Sequence, residues 1–581
     1  MNSILLDSLP IWTTAQAQKT SNRGISASNQ QLLGIQKLRD LILELAMRGK
    51  LVPQDSNDEP VSELLKRIKA EYKHLSKEGK IKKAKALPNI SEDEFPFDLP
   101  KGWEYIRLND LGEWGAGATP NRGNGEYYGG DIPWFKSGEL VGDYISESEE
   151  FVTELALKKS SLRYNKAGDV LIAMYGATIG KTSILEIPAT TNQAVCACTP
   201  FSDIYNVFLL TLLKAYKNRF VGMGAGGAQP NISREKIIAT VIALPSFAEQ
   251  HRIVERVNEL MALCDELEKE QTNSNTAHET LVEVLLSTLT DAKNSNDFKE
   301  AWQRVAGCFD TLFTTEHSID KLKQTILQLA VMGKLVPQDP NDESASVLLK
   351  KIAAEKAQLL KEGKIKIEKN LPPITDEELH YQLPDNWIWC RMQDLCPNIS
   401  SGSTPENRFF IDSGIPYLKV YNIRNQKIDF SFKEQFVSHD INSTKLKRSI
   451  LNPGDVIMNI VGPPLGKVAI IPNDYDEWNC NQAIVFFKPV IREFNQWLYT
   501  FLCTGTFLND IELIGTAGQD NISVTKSKNI VIPLPPLSEQ LRIVSKVEEL
   551  FALCDSLKER IREAQEIQNV LAEEIVRRVV N

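Results

Sequence analysis

The feature that most constrains the fold of this chain is an internal repeat. Three motifs return after the same interval of 284 residues. They are GKLVPQD at 49–55 and 333–339, KEGKIK at 77–82 and 361–366, and the L-P-x-x-W motifs that end at Trp103 and Trp387. Because three matches share one register, the sequence predicts two copies of one structural unit.

Further motifs continue the repeat in the same order, with small changes of spacing. They are G-x-T-P at 117–120 and 402–405, I-P-x-x-K at 132–136 and 415–419, G-D-V at 168–170 and 454–456, N-Q-A at 192–194 and 481–483, Q-x-N-I-S at 229–233 and 519–523, and E-Q-x-R-I-V at 249–254 and 539–544. Between these motifs the two copies differ greatly. The motifs are typical of a shared framework, and the variable residues between them are where two different targets would be recognised.

Each copy opens with a helical pattern. The first helix has an i, i+3, i+4 apolar stripe and ends near Gly49. A second helix begins near Leu64 and becomes basic, because residues 66–85 contain nine Lys or Arg and only two Glu. Such a run is interpreted either as a solvated helix face or as a surface for phosphates or a partner.

The middle segments, about 100–245 and 384–535, have a different character. They are richer in Gly, Pro and aromatic residues, and short β-like runs such as 170–173 and 456–458 lie between turn signals. These patterns predict compact mixed α/β domains with many loops.

Each copy closes with a long helix. In the second copy an apolar stripe steps by four and three through positions 543, 547, 550, 554, 557, 561, 564, 568, 571 and 575, with Gln568 as the one polar member. In the first copy the same stripe runs through positions 253, 257, 260, 264, 267, 281 and 285, interrupted by polar residues 271–276. A stripe of this spacing predicts a coiled-coil seam between the two helices, lying antiparallel, and packing inside one domain is the alternative.

Composition limits the possible functions. The net charge of −10 argues against an indiscriminate DNA binder, so any DNA contact must come from locally placed cations. The nine cysteines include no CxxC pair and the six histidines are scattered, which predicts no metal site. No apolar run approaches 18 residues, and residues 1–34 lack a secretion signal. We therefore expect a cytoplasmic protein with no membrane contact and a flexible N-terminal lead.

In their order and duplication, these motifs resemble the specificity subunit of a type I restriction–modification enzyme. The resemblance covers the chain from about residue 35 to the end. It implies that each middle segment is a target recognition domain that reads one half of a bipartite, asymmetric site in double-stranded DNA. It also implies that the long helices fix the spacing between the two halves.

The resemblance further implies which partners carry the chemistry. Two modification subunits would dock on the helices and methylate adenine with S-adenosylmethionine, and restriction subunits would add translocation and cleavage driven by ATP with Mg. No cofactor is then expected in this chain, which would itself be non-catalytic.

The predicted fold class is α+β, with two tandem pseudo-symmetric repeats. Each repeat is a globular mixed α/β target recognition domain plus long helices that pair as an antiparallel coiled-coil spacer. The predicted segments are a flexible lead (1–34), a helical arm (35–99), the first recognition domain (100–245), a central spacer helix (246–290), a linker (291–318), a second helical arm (319–383), the second recognition domain (384–535) and a C-terminal spacer helix (536–581).

Candidate DNA contacts are side chains that match base edges or phosphates. In the first domain they are Asn121, Arg122, Lys136, Ser137, Gln229, Asn231 and Arg234. In the second they are Asn407, Arg408, Lys419, Asn422, Arg424, Gln519, Asn521 and Lys526. Residues common to both domains are expected to hold the fold or touch phosphate, since they cannot distinguish two half-sites. Trp134 and Tyr417 are expected to pack in the core rather than stack on bases.

Motifs for catalysis are not found. The stretch 176–182 (GATIGKT) has three residues, not four, between its glycine and Gly-Lys, and its counterpart 462–468 has prolines there, which argues against a P-loop. The amino-methyltransferase signature, Asn or Asp before Pro-Pro and an aromatic residue, is missing. Two alternatives remain at this point: a standalone DNA-modifying enzyme, and a coiled-coil scaffold that never touches DNA.

Overall fold

The computed structural model describes residues 9–14, 17–18, 30–81, 87–224, 230–365, 367, 370–509, 511 and 521–580. The chain divides into two compact units, of which the first holds residues 1–275 and 564–581 and the second holds 276–563. The same series of elements occurs in each unit: two arm helices, a mixed α/β domain and a long helix. The prediction of a duplicated α+β fold is confirmed.

The first unit begins with its arm. Its helices are α1 (Leu9–Thr14), α2 (Leu33–Met47), α3 (Val61–Lys77), α4 (Glu154–Lys159), α5 (Asn206–Ala215), α6 (Lys217–Gly224), α7 (Arg234–Ala239) and α8 (Phe247–Thr290), of which residues 276–290 belong to the second unit. The apolar stripe of α2 is buried, as its spacing predicts. Gly49, with φ of +64°, ends the turn after α2 in a left-handed conformation that favours glycine.

The strands of the first unit form one main sheet and smaller ones. They are β1 (Ala17–Gln18), β2 (Gln30–Gln31), β3 (Glu104–Arg107), β4 (Gly112–Ala116), β5 (Tyr128–Phe135), β6 (Tyr144–Ile145), β7 (Phe151–Val152), β8 (Val170–Ala173), β9 (Thr182–Leu185), β10 (Thr190–Thr191), β11 (Val195–Pro200) and β12 (Val241–Leu244). The main sheet has the order β4-β11-β8-β9-β6, and separate sheets have the orders β10-β5-β7, β12-β3 and β1-β2. All pairs are antiparallel except β6 with β9 and β10 with β5.

The helices of the second unit follow the same plan. They are α9 (Ser295–Gly307), α10 (Phe309–Leu312), α11 (Glu316–Val331), α12 (Ala345–Lys361), α13 (Met392–Leu395), α14 (His439–Ser443), α15 (Asn495–Thr504), α16 (Val524–Asn529) and α17 (Leu537–Val580), of which residues 564–580 belong to the first unit. The arm helices α11 and α12 correspond to α2 and α3.

The strands of the second unit again enclose a core covered by one helix. They are β13 (Ile388–Arg391), β14 (Asn398–Ser401), β15 (Phe410–Ile411), β16 (Ile415–Leu418), β17 (Ile423–Arg424), β18 (Lys427–Ile428), β19 (Phe436–Val437), β20 (Val456–Asn459), β21 (Val468–Ile470), β22 (Asn479–Cys480), β23 (Ile484–Lys488) and β24 (Val531–Leu534). Their sheets have the orders β14-β23-β20-β21, β15-β19-β16-β22, β13-β24 and β17-β18.

Each recognition domain is fastened to its arm through one helix. In the first unit α5 packs on β8 and β9 on one side and on α2 on the other, and in the second unit α15 lies in the same way between β20, β21 and α11. Strands β8 and β20 are buried along their whole length, which explains their continuous apolar runs. The arm and the domain of each unit therefore share one hydrophobic core.

Both long helices are continuous over 44 residues, about 66 Å at 1.5 Å per residue. Their predicted stripe is buried at first, but Leu281 and Leu571, which occupy matching positions, are each 44% exposed. The buried positions are instead Val282 and Ala572. The predicted four-three spacing is wrong there. A straight helix has 3.6 residues per turn, so a stripe with a repeat of 3.5 residues drifts around the helix, and the buried position moves one residue further along the chain. The antiparallel pairing of α8 with α17 stays a prediction.

Two predicted segments are more ordered than expected. Helix α1 lies in the predicted flexible lead, yet Trp12 is fully buried, and its carbonyl oxygen is 2.2 Å from where a Cβ of Gly34 would lie. The prediction of a flexible lead is wrong for this helix, while residues 1–8, 15–16 and 19–29 lie outside the described residues. The predicted linker 291–318 contains α9 and α10, which bury Ala301, Val305 and Leu312 and make it a structured connection.

Candidate nucleic-acid interface

Three repeated motifs meet at one buried carboxylate in the first unit. Trp103 Nε1 donates to Glu249 Oε2 at 3.0 Å, and Gln54 Nε2 donates to Glu249 Oε1 at 2.6 Å. Gly49 approaches so closely that a Cβ there would lie 2.4 Å from Pro100 Cγ. We call Gln54, Trp103 and Glu249 the first joint, because they fasten the arm, the recognition domain and the long helix to each other.

The second unit contains the same joint. Trp387 Nε1 donates to Glu539 Oε2 at 2.9 Å, and Gln338 Nε2 donates to Glu539 Oε1 at 2.6 Å. Glu539 is 1% exposed and Glu249 is 3% exposed. The repeated motifs therefore serve the framework that positions each domain, as residues common to both copies were predicted to do.

The joints predict a pH dependence of stability. Burial raises the pKa of Glu249 and of Glu539 above the ordinary 4.5, although hydrogen bonds from Trp and Gln oppose the shift. Since the folded state then binds more protons than the unfolded state, stability falls as the pH rises from about 4.5 through the raised pKa. We expect the double variant Glu249→Gln, Glu539→Gln to reduce this fall in urea denaturation. The exposed Glu255→Gln is the matched control, and an unchanged pH profile in the double variant would contradict the assignment.

A buried arginine attaches each recognition domain to the end of its arm. Arg107 donates two hydrogen bonds of 3.0 Å to Glu94 and others to the carbonyl oxygens of Pro88 and Ala239, at 3.1 and 2.6 Å. Its guanidinium lowers the pKa of Glu94 by hydrogen bonding. Arg391 makes the corresponding contacts in the second unit. Neither arginine is available to DNA, since both are buried.

The G-x-T-P and N-Q-A motifs form a single loop pair in the first domain. A Cβ on Gly117 would lie 2.3 Å from the carbonyl oxygens of Thr191 and Asn192, so only glycine fits. Thr119 Oγ1 donates to Gln193 Oε1 across the two loops. Both side chains are exposed, and the candidates Asn121 and Arg122 follow Thr119 closely in the chain.

The second domain has the same loop pair. A Cβ on Gly402 would lie 2.1 and 2.2 Å from the carbonyl oxygens of Cys480 and Asn481, and Thr404 Oγ1 donates to Gln482 Oε1. Behind each loop pair lies a buried ring that donates to the loop backbone: Trp134 Nε1 to Ala118 at 3.0 Å, and Tyr417 OH to Ser403 at 2.7 Å. Each ring is 1% exposed, which confirms the predicted core packing over base stacking.

The described part of the Q-x-N-I-S motif docks a short helix on the sheet. Ile232 N donates to Met174 O at 2.9 Å, and Ser233 caps α7. In the second unit Ile522 N donates to Ile460 O at 2.9 Å, and Ser523 caps α16. The serine is thus an N-cap, whose hydroxyl satisfies a helix N–H.

The P-loop-like stretch 176–182 connects two antiparallel strands, β8 and β9. A phosphate-binding loop leads from a strand into a helix, whose first N–H groups hold the phosphate. Here a strand follows Lys181, so the geometry of this stretch is that of a hairpin loop, which agrees with the sequence argument against ATP binding.

A cluster of two cations in the first domain centres on Glu150. Arg122 and Lys136 approach its carboxylate at 2.6 and 2.7 Å, and the Arg122 guanidinium lies 4.6 Å from the Tyr128 ring centroid and 4.9 Å from that of Trp134. Hydrogen bonds from both cations lower the pKa of Glu150. Arg122 remains half exposed. We call Arg122, Lys136 and Glu150 the first cation cluster. In it two predicted DNA contacts, Arg122 and Lys136, pair with the same carboxylate.

The second domain differs at the matching place. Tyr417 N donates to Gln435 O as Trp134 N donates to Glu150 O, so Gln435 replaces the acid. Lys419, the counterpart of Lys136, forms no ion pair with any described residue and lies 5.2 Å from the Phe410 ring centroid. The two domains therefore present different charge at one shared position.

The structure excludes one candidate as a base contact. Asn422 is fully buried, accepts from Lys419 N at 2.9 Å and donates to the carbonyl oxygens of Asp429 and Phe432 at 3.2 and 2.8 Å. Its prediction as a DNA contact is wrong, because every group of its amide holds the loop. A sequence cannot distinguish such an asparagine from an exposed one.

The remaining candidates lie on loops and on short elements, with Arg424 in β17, Arg234 in α7 and Lys526 in α16. Exposed ones are Asn121, Asn231, Asn407, Arg408 and Arg424; partly exposed ones are Ser137, Arg234, Asn521 and Lys526. Asn121 accepts from Gly123 N at 2.9 Å, and Arg408 and Arg424 pair with Glu406 and Asp429. Gln229 and Gln519 lie outside the described residues.

Sequence reasoning missed Glu150, Gln435 and Asn425. The first two lie between repeated motifs, where the interval between copies changes from 283 residues at Lys136 to 285 at Glu150, so a fixed register does not align them. Asn425 is exposed at the tip of the β17–β18 hairpin with φ of +50°. Asparagine adopts left-handed backbone more readily than most residues, so Asn425 was a signal in the sequence for this turn, in which Gln426 also has a positive φ of +57°.

Among the described residues, no three His, Cys, Asp or Glu side chains are grouped to hold a metal ion. No helix in the same part of the chain is long and apolar enough to cross a membrane.

Comparison with known proteins identifies the duplicated domain. Residues 100–275 and 384–567 each match the family model described as the type I restriction modification DNA specificity domain. The chain is 39% identical over 600 residues to the specificity subunit of the type I restriction enzyme EcoAI, and 36% identical over 605 residues to that of EcoEI, both from Escherichia coli and both covering 100% of each chain. The crystal structure of the HsdS subunit from Thermoanaerobacter tengcongensis covers 83% of this chain and 99% of its own, with 16% identity and a TM-score of 0.36.

Proposed function

Because the chain belongs to the family of type I restriction–modification specificity subunits, we propose that each of its recognition domains reads one half of a bipartite, asymmetric DNA site. The observation that carries the proposal is a shared frame with different surfaces. Both domains are held by the same joint and the same loop pair. Yet Glu150 in one is replaced by Gln435 in the other, so the two domains differ in their charged groups at one matching place.

Binding to a random pool of DNA duplexes tests this proposal. The full-length chain is incubated with the pool, bound duplexes are separated by gel shift and sequenced, and the selection is repeated. We expect two short blocks of fixed sequence that differ from each other. A chain that retains no duplex would support a scaffold without DNA contact, and methyl transfer by the chain alone would support a standalone enzyme.

Lys136 and Lys419 are proposed phosphate contacts, because they occupy the same place in both domains and cannot encode two different sequences. We expect Lys419→Ala to lower the slope of log K against log salt concentration by about 1. Lys136→Ala has a smaller effect, since Glu150 already neutralises part of that charge. Titrations at several salt concentrations measure both slopes. A changed base preference in either variant would instead show direct readout.

Arg122, Asn121 and Asn425 are proposed as contacts on the variable surface. Each is exposed beside a loop whose backbone is fixed, and guanidinium and amide groups match guanine and adenine edges. The exposed candidates of the second domain, such as Asn407 and Arg408, take the same role there.

Two copies of a modification subunit are proposed to dock on the long helices. Leu263 and Leu553 occupy matching positions on α8 and α17 and are 53% and 57% exposed. Burial of these two side chains against a partner would remove apolar surface from water, which favours association. S-adenosylmethionine, ATP and Mg then belong to the modification and restriction subunits, and the assembly works in the cytoplasm, where the DNA is.

Replacing one of these leucines should remove one docking position. We expect Leu263→Asp or Leu553→Asp to leave a complex with a single modification subunit, and the double variant to bind none, because a charge cannot be buried in an apolar contact. Mass measurement of the purified complex counts the subunits. Leu541→Asp is the matched control, since Leu541 is 54% exposed on the same helix as Leu553 but has His251 as its counterpart. Full assembly by the double variant would contradict this docking position.

A further inference from the structure

A row of lysines lies on one side of helix α3, outside the segments that match the family model. Lys69, Lys73 and Lys77 are exposed and follow each other at intervals of four residues. Successive members are about 6 Å apart along the helix axis, so the row is about 12 Å long. None of the three forms an ion pair or a hydrogen bond with another described residue. We call them the lysine row.

The other cations among the lysines and arginines of α3 are paired with acids. Lys66 pairs with Glu63 at 2.6 Å, and Arg67 pairs with Glu59 and with Asp203 at 2.5 and 2.7 Å. Glu71 accepts hydrogen bonds from Ser202, and Glu78, which follows the helix, pairs with Lys80. In a chain of net charge −10, the lysine row is thus a local surplus of positive charge with no acid among its members.

Helix α3 is fixed against the first recognition domain. Glu71 accepts from Ser202 N and Oγ at 2.9 and 3.0 Å, Arg67 Nε donates to Asp203 Oδ2 at 2.7 Å, and the Tyr72 ring meets Phe201 edge-on at 6.4 Å. The side of the helix that carries Arg67, Glu71 and Tyr72 therefore faces its own domain. The lysine row is carried as part of the same rigid body as the first domain.

The second arm lacks the row. At the interval of 284 residues, Lys69 and Lys73 correspond to Ala353 and Ala357, and Lys77 corresponds to Lys361. Both alanines lie on α12, which is otherwise the counterpart of α3. The framework does not require lysine at these places, since one copy folds with alanine there.

We propose that Lys69, Lys73 and Lys77 contact the phosphate backbone of the duplex that flanks the first half-site, independently of sequence. The proposal rests on the proposed function and adds a contact outside the recognition domains. Lysine is a compact, hydrated charge that suits phosphate, whereas protein interfaces are depleted of it. Phosphates of one strand follow each other at an axial rise of about 3.4 Å, so a row about 12 Å long runs past enough backbone for each of the three lysines to meet a phosphate.

The test compares the full-length chain with the variant Lys69→Ala, Lys73→Ala, Lys77→Ala. Alanine is the best helix former, so the helix persists, and circular dichroism verifies it. On a duplex that extends one turn beyond the first half-site, we expect the slope of log K against log salt to fall by about 2 to 3. The ratio of affinities for the target and for a target with one changed base pair should stay the same. On a duplex that ends at the first half-site, parent and variant should be alike.

The second arm supplies a gain-of-function control. We expect Ala353→Lys, Ala357→Lys to increase the salt slope by about 2 on a duplex that extends beyond the second half-site. An unchanged slope in the triple alanine variant overturns the proposal. So does weaker binding of modification subunits at unchanged DNA affinity, because the row would then be a protein contact. Failure of the proposed function looks different, since the parent chain itself would not discriminate its target.

Discussion

A chain whose residues 101–245 come from a relative with a different target will change the first half of its recognised site and keep the second half. The structure shows why this segment can be exchanged as a block. Its two ends are neighbours, because β3 and β12 pair antiparallel with Glu104 opposite Leu244. Selection from a random duplex pool measures both half-sites at once.

The exchange needs two contacts across its borders. The donor segment must supply a tryptophan for Glu249 at position 103 and an arginine for Glu94 at position 107. The reciprocal exchange of 385–535 is the matched control and should change the second half only, because β13 and β24 close that segment in the same way. A change in both halves, or in their spacing alone, would refute the assignment of one half-site to each domain.

Removing one buried arginine will strongly destabilise its unit. We expect Arg391→Ala to lower the free energy of unfolding by about 3 kcal/mol. Arg391 is 5% exposed and donates to Glu378 at 2.9 and 3.1 Å and to the carbonyl oxygens of Pro372 and Asn529 at 3.0 and 2.8 Å. Alanine leaves the carbonyls without a donor. Breaking a buried ion pair costs about 3 to 5 kcal/mol. We expect the low end of this range because the Glu378 side chain is one-third exposed and can be hydrated once the arginine is removed.

Urea denaturation measures this loss, and the unfolding transitions of the two units are followed separately. Because the arginine lies wholly within the second unit, the transition of that unit should shift while that of the first remains. Arg408→Ala is the control: its side chain is 70% exposed, and we expect a change within about 0.5 kcal/mol. If Arg391→Ala also changed the free energy of unfolding by only about 0.5 kcal/mol, the arginine would not hold the domain to its arm.

The repeat made the framework predictable. Two copies, their order of elements and the long helices follow from matched motifs and from apolar spacing, and the partners of Glu249 and Glu539 turn out to be repeated residues themselves. Helix α1 and the helices of 291–318 escaped prediction, because a single buried tryptophan or a short amphipathic run looks like a loop in polar sequence.

The candidate interface was predictable only in outline. Lys136 and Arg122 were found because they adjoin repeated motifs, whereas Glu150, which holds both, lies where insertions have shifted the register. The amide of Asn422 proved to be occupied by its own loop. Whether a polar side chain is exposed or held by its own loop depends on the fold around it, and a linear pattern does not carry that information.

The central claim is that the two domains read two half-sites held at one separation. Affinity for the selected target should be measured while the unread gap is lengthened or shortened by one and two base pairs. Each added pair moves the halves about 3.4 Å apart and turns them by about one tenth of a helical turn. We predict a sharp maximum at one gap length. Equal affinity at every gap length would show that the halves are bound independently and would contradict the claim.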